Sequence, residues 1–252
     1  MNKIYLFLVF SLLLFSCNQK KNIRKSGICL SFDDRSVQEW FELRTLFQKY
    51  NARATFFITQ FDSLNESDIN KLRQLKQEGN EIGFHGALHV VSEYYIKENS
   101  YHTYLENEIF AGMEAMSKAG LPPSSFAYPY GSKYWFTDFL LLRYFKVLRT
   151  VSPLKQGENI SELDEIFFNF DGKKSLGSVG MDLGSKLSKE MVRQAIKRAV
   201  LNQEVVMLHG HFPSKGPAKE PYQFDIEFLE FILNTADENG LKFYRFSDLI
   251  ED

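Results

Sequence analysis

Cysteine is scarce in this chain: only Cys17 and Cys29 occur in 252 residues. Cys17 ends an N-terminal apolar run and Cys29 lies inside a strand-like one, so a disulfide framework is excluded even for an exported protein. Cys29 reads as a small buried hydrophobe. An excess of either charge is also missing, 30 basic residues standing against 32 acidic ones. No electrostatic footprint for nucleic acid results. No internal repeat, low-complexity segment or second-domain linker interrupts the sequence. The apolar run at residues 4–15 is too short for a typical membrane span. What is abundant is aromatic: 24 Phe, 12 Tyr and 2 Trp. Most of that belongs to a core, and an aromatic-rich exported domain is also compatible with sugar binding.

Lys3 followed by the short apolar run is the pattern of a secretory signal. Its end, Leu14-Phe15-Ser16-Cys17, resembles the lipobox of bacterial lipoproteins. That resemblance implies that residues 1–17 are a signal with an acylated Cys17 and that 18–25 are a polar tether. Residues 26–252 then form one domain, large enough for a substantial core. Lipid on Cys17 anchors an exported protein to a membrane face of the bacterial envelope, and Asn18 suits outer-membrane sorting. The alternative is a plain signal peptide with Cys17 incidental. No obligate protein partner is evident.

Strand-like and helix-like stretches alternate along the mature chain. The run 28–34 reads as a buried strand, 54–59 as another, and 81–84 as a third arriving at His85. Further strands are expected at 125–128, 146–151, 204–208 and 241–246. Helices are expected after Asp34, from a cap at Ser67 or Asp68 to Gly79, and over 100–119, 135–144, 188–202 and 225–238. Residues 152–188 read as irregular or short β. This alternation predicts an α/β fold of parallel βα units, in a barrel or a doubly wound sheet.

Chemistry gathers where the strand-like runs stop. Asp33 and Asp34 follow an apolar run, where like charges repel and each raises its neighbour's pKa. Carboxyl ends of parallel strands are where ligands and catalytic groups collect, so one acid is available for a metal and the other as a base. The bland alternative is a turn or helix cap. His85 and His89, four residues apart, are spaced to point at one ion from a helix turn or tight loop. No Glu follows His85, so the helical metalloprotease motif is not met. Two histidines and a carboxylate make an open three-ligand site suited to zinc, with Co, Ni or Mn as alternatives. His209 and His211 sit at the end of another apolar run.

Ser-Phe-Asp-Asp at 31–34, His-x-x-x-His at 85–89, Tyr-Pro-Tyr-Gly at 128–131 and Leu-His at 208–209 together resemble the polysaccharide deacetylase pattern (NodB homology, carbohydrate esterase family 4). The match runs from about residue 28 to 250. It implies a distorted (β/α) barrel and a hydrolase that removes acetyl groups, N-acetyl favoured, from a glycan with one divalent metal. It further implies Asp33 as catalytic base, Asp34, His85 and His89 as metal ligands, and Tyr130 after Pro129 as an oxyanion-holding backbone N–H. His209 matches the general acid, with His211 as runner-up.

Three positions depart from the family pattern. Arg35 replaces a Gly and Gly86 replaces a Ser or Thr. Ala127 stands where the family carries an Arg that orients the catalytic carboxylate, with Arg35 and Arg149 as candidate substitutes. The fourth, Asp- and Trp-containing motif is not found in 152–188. Two other readings follow: a catalytically weak glycan-binding lipoprotein, motivated by Ala127, or an O-acetyl, xylan-type esterase. A metal-dependent hydrolase of another bond is a third. His102 reads as a surface side chain. Tyr134 and Trp135 read either as cleft lining or as the start of a packed helix.

Overall fold

The computed structural model describes residues 26–155 and 157–250; Cys17, the signal and the tether lie outside them. Eleven strands appear in chain order: β1 Gly27–Asp34, β2 Ala54–Ile58, β3 Glu81–Phe84, β4 Ser125–Ala127, β5 Val147–Val151, β6 Phe167–Phe168, β7 Ser175–Gly180, β8 Val205–Gly210, β9 Phe212–Ser214, β10 Gln223–Asp225 and β11 Lys242–Tyr244. β1, β2, β3, β4, β5, β7 and β8 pair in parallel in that order, and β8 returns to pair with β1. The result is a closed barrel of seven strands with helices around it. Closure removes the exposed edges that an open sheet must protect.

Strand alternation divides the core in two. Ile28, Leu30 and Phe32 of β1, Phe56 and Ile58 of β2, and Val206 and Leu208 of β8 face outward into the large cluster shared with the helices. Cys29, Phe57, Ala127, Val147, Leu176, Val205 and Met207 face the barrel interior. Phe246 packs into that interior cluster edge-on to Phe57, with ring centroids 5.4 Å apart. The Thr55 hydroxyl accepts from the Phe246 N–H (3.0 Å), and Glu81 accepts from Ser247 N–H and from the Ser125 hydroxyl. One barrel end is therefore apolar and tied to the C-terminal segment. At the other end the inward positions become Asp33, His85, Arg149, Ser178 and His209, all buried.

The structure differs from sequence expectation in several elements. The third-strand approach helix is Glu66–Gln77, capped by the Asn65 side chain and not by Ser67 or Asp68. The expected helix at 100–119 runs Tyr101–Lys118 with a π-helical stretch at Leu105–Phe110, and a separate helix, Ser92–Glu98, precedes it. The stretch 152–188, expected as irregular or short β, contains the two-residue β6 and a full barrel strand, β7. Its Gly177 and Gly180 and its serines hide the apolar signature, because small residues are what fit there. A Cβ on Gly177 meets the Ser152 hydroxyl at 2.3 Å. Among the described residues, no helix is long and apolar enough to cross a membrane.

Candidate functional site

The polar barrel end opens into a cleft of about 610 Å3 lined by Asp33, Asp34, His85, His89, Tyr130, Arg149, Asp182, His209, His211 and Tyr222, among others. Asp33, Asp34, His85, His89, Tyr130, His209 and His211 all lie on it, while Pro129 is buried and does not. Cys17 lies outside the described residues.

Asp34, His85 and His89 converge. His89 Nε2 is 3.3 Å from His85 Nε2 and 3.4 Å from Asp34 Oδ1, and His85 Nε2 is 3.7 Å from the same oxygen. A tetrahedral ion with bonds of about 2.0–2.1 Å separates its donors by about 3.3–3.4 Å, so the three atoms fit one face of such a shell. The His85 Nδ1–H donates to the Ala127 carbonyl at 2.8 Å, which leaves Nε2 as the free lone pair. Burial pulls His85 down to about 4 and lowers His89 as well. Both rings are thus neutral near pH 7, as ligation requires.

The loop carrying these histidines is built on Glu108, from the π-helical stretch. Its carboxylate accepts the Leu88 N–H (2.6 Å) and the Val90 N–H (3.2 Å). Gly86 has φ +85°, and a Cβ there stands 2.0 Å from Glu108 Oε1. The departure at Gly86 has this physical reason: the carboxylate occupies the space of a side chain. Burial pushes Glu108 up to about 7 against the four backbone N–H groups of 87–90 that pull it down. His89 itself takes a left-handed conformation, φ 60°.

Asp33 sits beside this cluster, buried, in an ion pair with Arg149. Burial alone raises its carboxyl, but Arg149, His85, His211 and His209 outweigh it and hold Asp33 below the usual carboxylate range. Ala127 on β4 and Arg149 on β5 are direct register partners. The guanidinium absent at 127 is supplied one strand over, from the neighbouring inward position. Arg35, the other candidate, is exposed and donates to the Ser63 hydroxyl at 2.6 Å. Asp33 Oδ1 has no hydrogen-bond partner among the described residues.

Tyr130 lies in a tight turn with φ 60°, its ring 4.8 Å from that of His89. His209 is buried at the end of β8, and its Nδ1 lies 2.9 Å from the Ser178 hydroxyl. Burial, then Arg149, drives it well below the ordinary imidazole value. His211 is held differently: Asp182 accepts its Nδ1–H at 2.7 Å and its backbone N–H at 3.0 Å. Burial would lower His211, but Asp182 and Asp33 raise it.

Sequence reasoning missed Glu108, Ser178 and Asp182. Glu108 carries no local signal, standing in a helical stretch that also holds Glu106 and Glu114. Asp182 had a usable signal, because it stands two residues past the end of β7, much as Asp33-Asp34 closes β1. His102 is on the surface, paired with Glu106 at 3.0 Å. Neither Tyr134 nor Trp135 lines the cleft; Tyr134 packs on Tyr101 with ring centroids 5.8 Å apart.

Comparison with known proteins follows the same lines. The family model described as polysaccharide deacetylase matches residues 20–141. Peptidoglycan deacetylase PdaC from Bacillus subtilis is similar in structure at a TM-score of 0.54, with 17% identity over 89% of this chain and 90% of that one. The catalytic domain of a peptidoglycan N-acetylglucosamine deacetylase from Eubacterium rectale gives 0.53 and 19% over 89% and 90%. The Xyl-CE4 domain of a multidomain xylanase from the hindgut metagenome of Trinervitermes trinervoides gives 0.54 and 16% over 89% and 89%. These likenesses establish the barrel fold. No curated protein sequence matches the chain.

Proposed function

We propose that this chain, whose residues 20–141 match the polysaccharide deacetylase family model, is a deacetylase that hydrolyses acetyl groups, N-acetyl favoured, from an envelope or environmental polysaccharide. The observation that carries this reading is the adjacency of a complete three-donor metal cluster and a buried, arginine-paired carboxylate in one cleft. Asp34, His85 and His89 would hold one divalent cation, zinc first among the choices. When bound, it supplies Lewis acidity that polarises an acetyl carbonyl and acidifies water.

The chain's own groups account for the remaining steps. Asp33, kept ionised by Arg149, takes a proton from the attacking water through its free Oδ1. The water oxygen bonds to the acetyl carbon, and the Tyr130 N–H donates to the oxyanion that forms, a contact typically worth about 3–4 kcal/mol. A histidine at the end of β8 protonates the departing nitrogen, the C–N bond breaks, and acetate leaves with a free amine on the sugar. Tyr130 and Tyr222 present exposed rings at the cleft mouth, suited to the faces of a glycan chain. Arg149 supports catalysis over a binding-only role, because it restores the cation whose absence at Ala127 motivated that alternative.

The same reading places the protein in the bacterial envelope, exported and lipid-anchored at Cys17. The test is acetate release from N-acetylglucosamine oligomers, peptidoglycan and acetylated xylan, with added zinc or cobalt and with a chelator. Metal-dependent release lost in Asp33→Ala and His85→Ala supports the assignment, and the responsive polymer names the substrate. Release unaffected in both variants would sink it; release from xylan alone would favour the O-acetyl esterase.

A further inference from the structure

Three consecutive aromatic residues, Tyr134-Trp135-Phe136, follow the turn that carries Tyr130, and Phe139 comes one helical turn later. Two of the four are half-buried. Tyr101 packs on Tyr134 and, edge-on, on Phe136, with ring centroids 5.8 and 5.7 Å apart. The other two stand in solvent, Trp135 at 78% and Phe139 at 63% exposure. Both rest on Phe136, at 5.2 and 5.0 Å between centroids, so one half-buried ring backs the two exposed ones. The backbone here is tied down as well. The Ser92 hydroxyl donates to the Ser132 carbonyl (3.1 Å) and accepts the Tyr134 N–H (3.3 Å), and the Thr137 hydroxyl donates to the Tyr134 carbonyl (2.7 Å). Rings fixed in this way lose little freedom when a ligand lies on them.

This patch adjoins the cleft without being part of it. Tyr128, Tyr130 and Gly131 line the cleft, and Trp135 does not. The Tyr128 hydroxyl donates to Asp138 Oδ1 at 2.8 Å, which bonds the helix that carries Phe139, Thr137–Leu141, to the cleft wall. Asp138 also pairs with Lys133, whose ammonium donates to the Ser175 hydroxyl at 3.0 Å. From Tyr130 to Trp135 the chain spans at most about 18 Å, within reach of a polymer that has one residue in the cleft.

Size and position select the occupant. The two exposed rings offer roughly 300 Å2 between them, at about 150–250 Å2 for a whole aromatic side chain. A stable protein interface takes about 800 Å2 from each partner, so the patch is too small for a second copy. It follows the carboxyl end of β4, whereas the chain enters β1 at Gly27, the opposite barrel end. The anchoring proposed at Cys17 therefore sets a bilayer at the far end from these rings. A pyranose ring suits them: its C–H face lies on an aromatic face, and its hydroxyls meet the charged border of Lys133 and Asp138.

We propose that Trp135 and Phe139 form a glycan-binding platform outside the catalytic cleft, taking the faces of sugar residues further along the polymer that occupies the cleft. That the cleft holds such a polymer rests on the deacetylase reading above. The platform adds affinity for long chains and has no part in the chemistry.

The experiment uses the full chain, which has only two tryptophans: Trp40, fully buried, and Trp135. Iodide quenching of tryptophan fluorescence therefore reports on Trp135. The probes are the hexamer and dimer of N-acetylglucosamine and the matching acetylated xylan oligomers. One of the hexamers is expected to shield Trp135 from iodide. The dimers, which a cleft of about 610 Å3 can hold whole, are expected to leave it open to quenching. On the hexamer that shields, Trp135→Ala is expected to raise KM about 10-fold, the effect of truncating one tryptophan contact. The loss falls in KM and not in kcat, and it is less than about 2-fold on the dimer. Trp135→Tyr recovers most of it, and Phe139→Ala shows the same preference for the long substrate.

The proposal is overturned if neither hexamer changes the quenching, or if KM rises equally on hexamer and dimer. Shielding of Trp135 by phosphatidylglycerol vesicles, or a protein dimer that Trp135→Ala breaks, overturns it too. Shielding by a hexamer that is never hydrolysed would keep the platform and defeat the deacetylase reading. Hydrolysis without shielding would do the reverse.

Discussion

Replacing Arg149 with Met removes the guanidinium paired with Asp33 while keeping most of the side-chain volume. Both side chains are almost fully buried, at 1% and 3% exposure. Breaking such a pair from one side leaves an uncompensated buried charge, at a cost of about 3–5 kcal/mol. The sign with pH is fixed by Asp33. In the native protein its carboxyl lies below the unfolded value of about 3.9, so it stabilises the fold above that pH and the contribution is lost as pH falls through the native value. Without Arg149, burial raises the carboxyl above its unfolded value; stability is then present at low pH and lost as pH rises. The destabilisation of Arg149→Met is therefore already present near pH 4, where native Asp33 is ionised and its pairing is lost. It grows further as pH rises toward about 8 through the raised carboxyl. At a urea m-value of about 2–3 kcal/mol/M, the midpoint falls by about 1–2 M at pH 8. The acid limb of kcat/KM moves upward together with it, because the base must first ionise. Ala127→Arg added to Arg149→Ala returns the cation through the facing register position and recovers part of both effects. A destabilisation equal at pH 5 and pH 8 would refute the reasoning.

Glu108→Gln keeps the shape that fills Gly86 but loses a charge-assisted acceptor; metal affinity measured by calorimetry is expected to fall about 10-fold. Because the native Glu108 is raised to about 7, it costs stability as pH rises from about 4.5 to 7, on the order of 3 kcal/mol; the variant's denaturation midpoint loses that slope. Gly86→Ala combines a strained φ with a 2.0 Å collision and is expected to unfold at least about 2 kcal/mol more easily, read by urea denaturation. His89→Ala removes one of three donors and abolishes cobalt binding at micromolar metal, read by absorption. Under the proposed lipid anchoring, Cys17→Ala is expected to shift the protein from the membrane to the soluble fraction on cell fractionation.

Legibility in the sequence tracked how far each signal is local. β1 and β8 were readable because each is a continuous apolar run ended by polar residues, and the two candidate histidine donors, His85 and His89, stand four residues apart. β7 was not, since Ser175-Leu176-Gly177-Ser178-Val179-Gly180 is small where neighbouring chain crowds it, and small polar residues read as loop. Asp182 was lost with it. The missing arginine was legible as an absence at Ala127, yet its replacement depends on which strands lie side by side. Arg149 is 22 positions away in sequence and one strand spacing away in space. Glu108 became visible only when the π-helical stretch turned it inward toward a loop about 20 residues earlier.

The most direct test of the account is acetate release by the metal-loaded protein beside its Asp33→Asn variant, on whichever polymer responds, with bound metal quantified in both. The account predicts equal metal content and a rate at least about 100-fold lower in the variant. Equal rates with equal metal would place the chemistry elsewhere and contradict it.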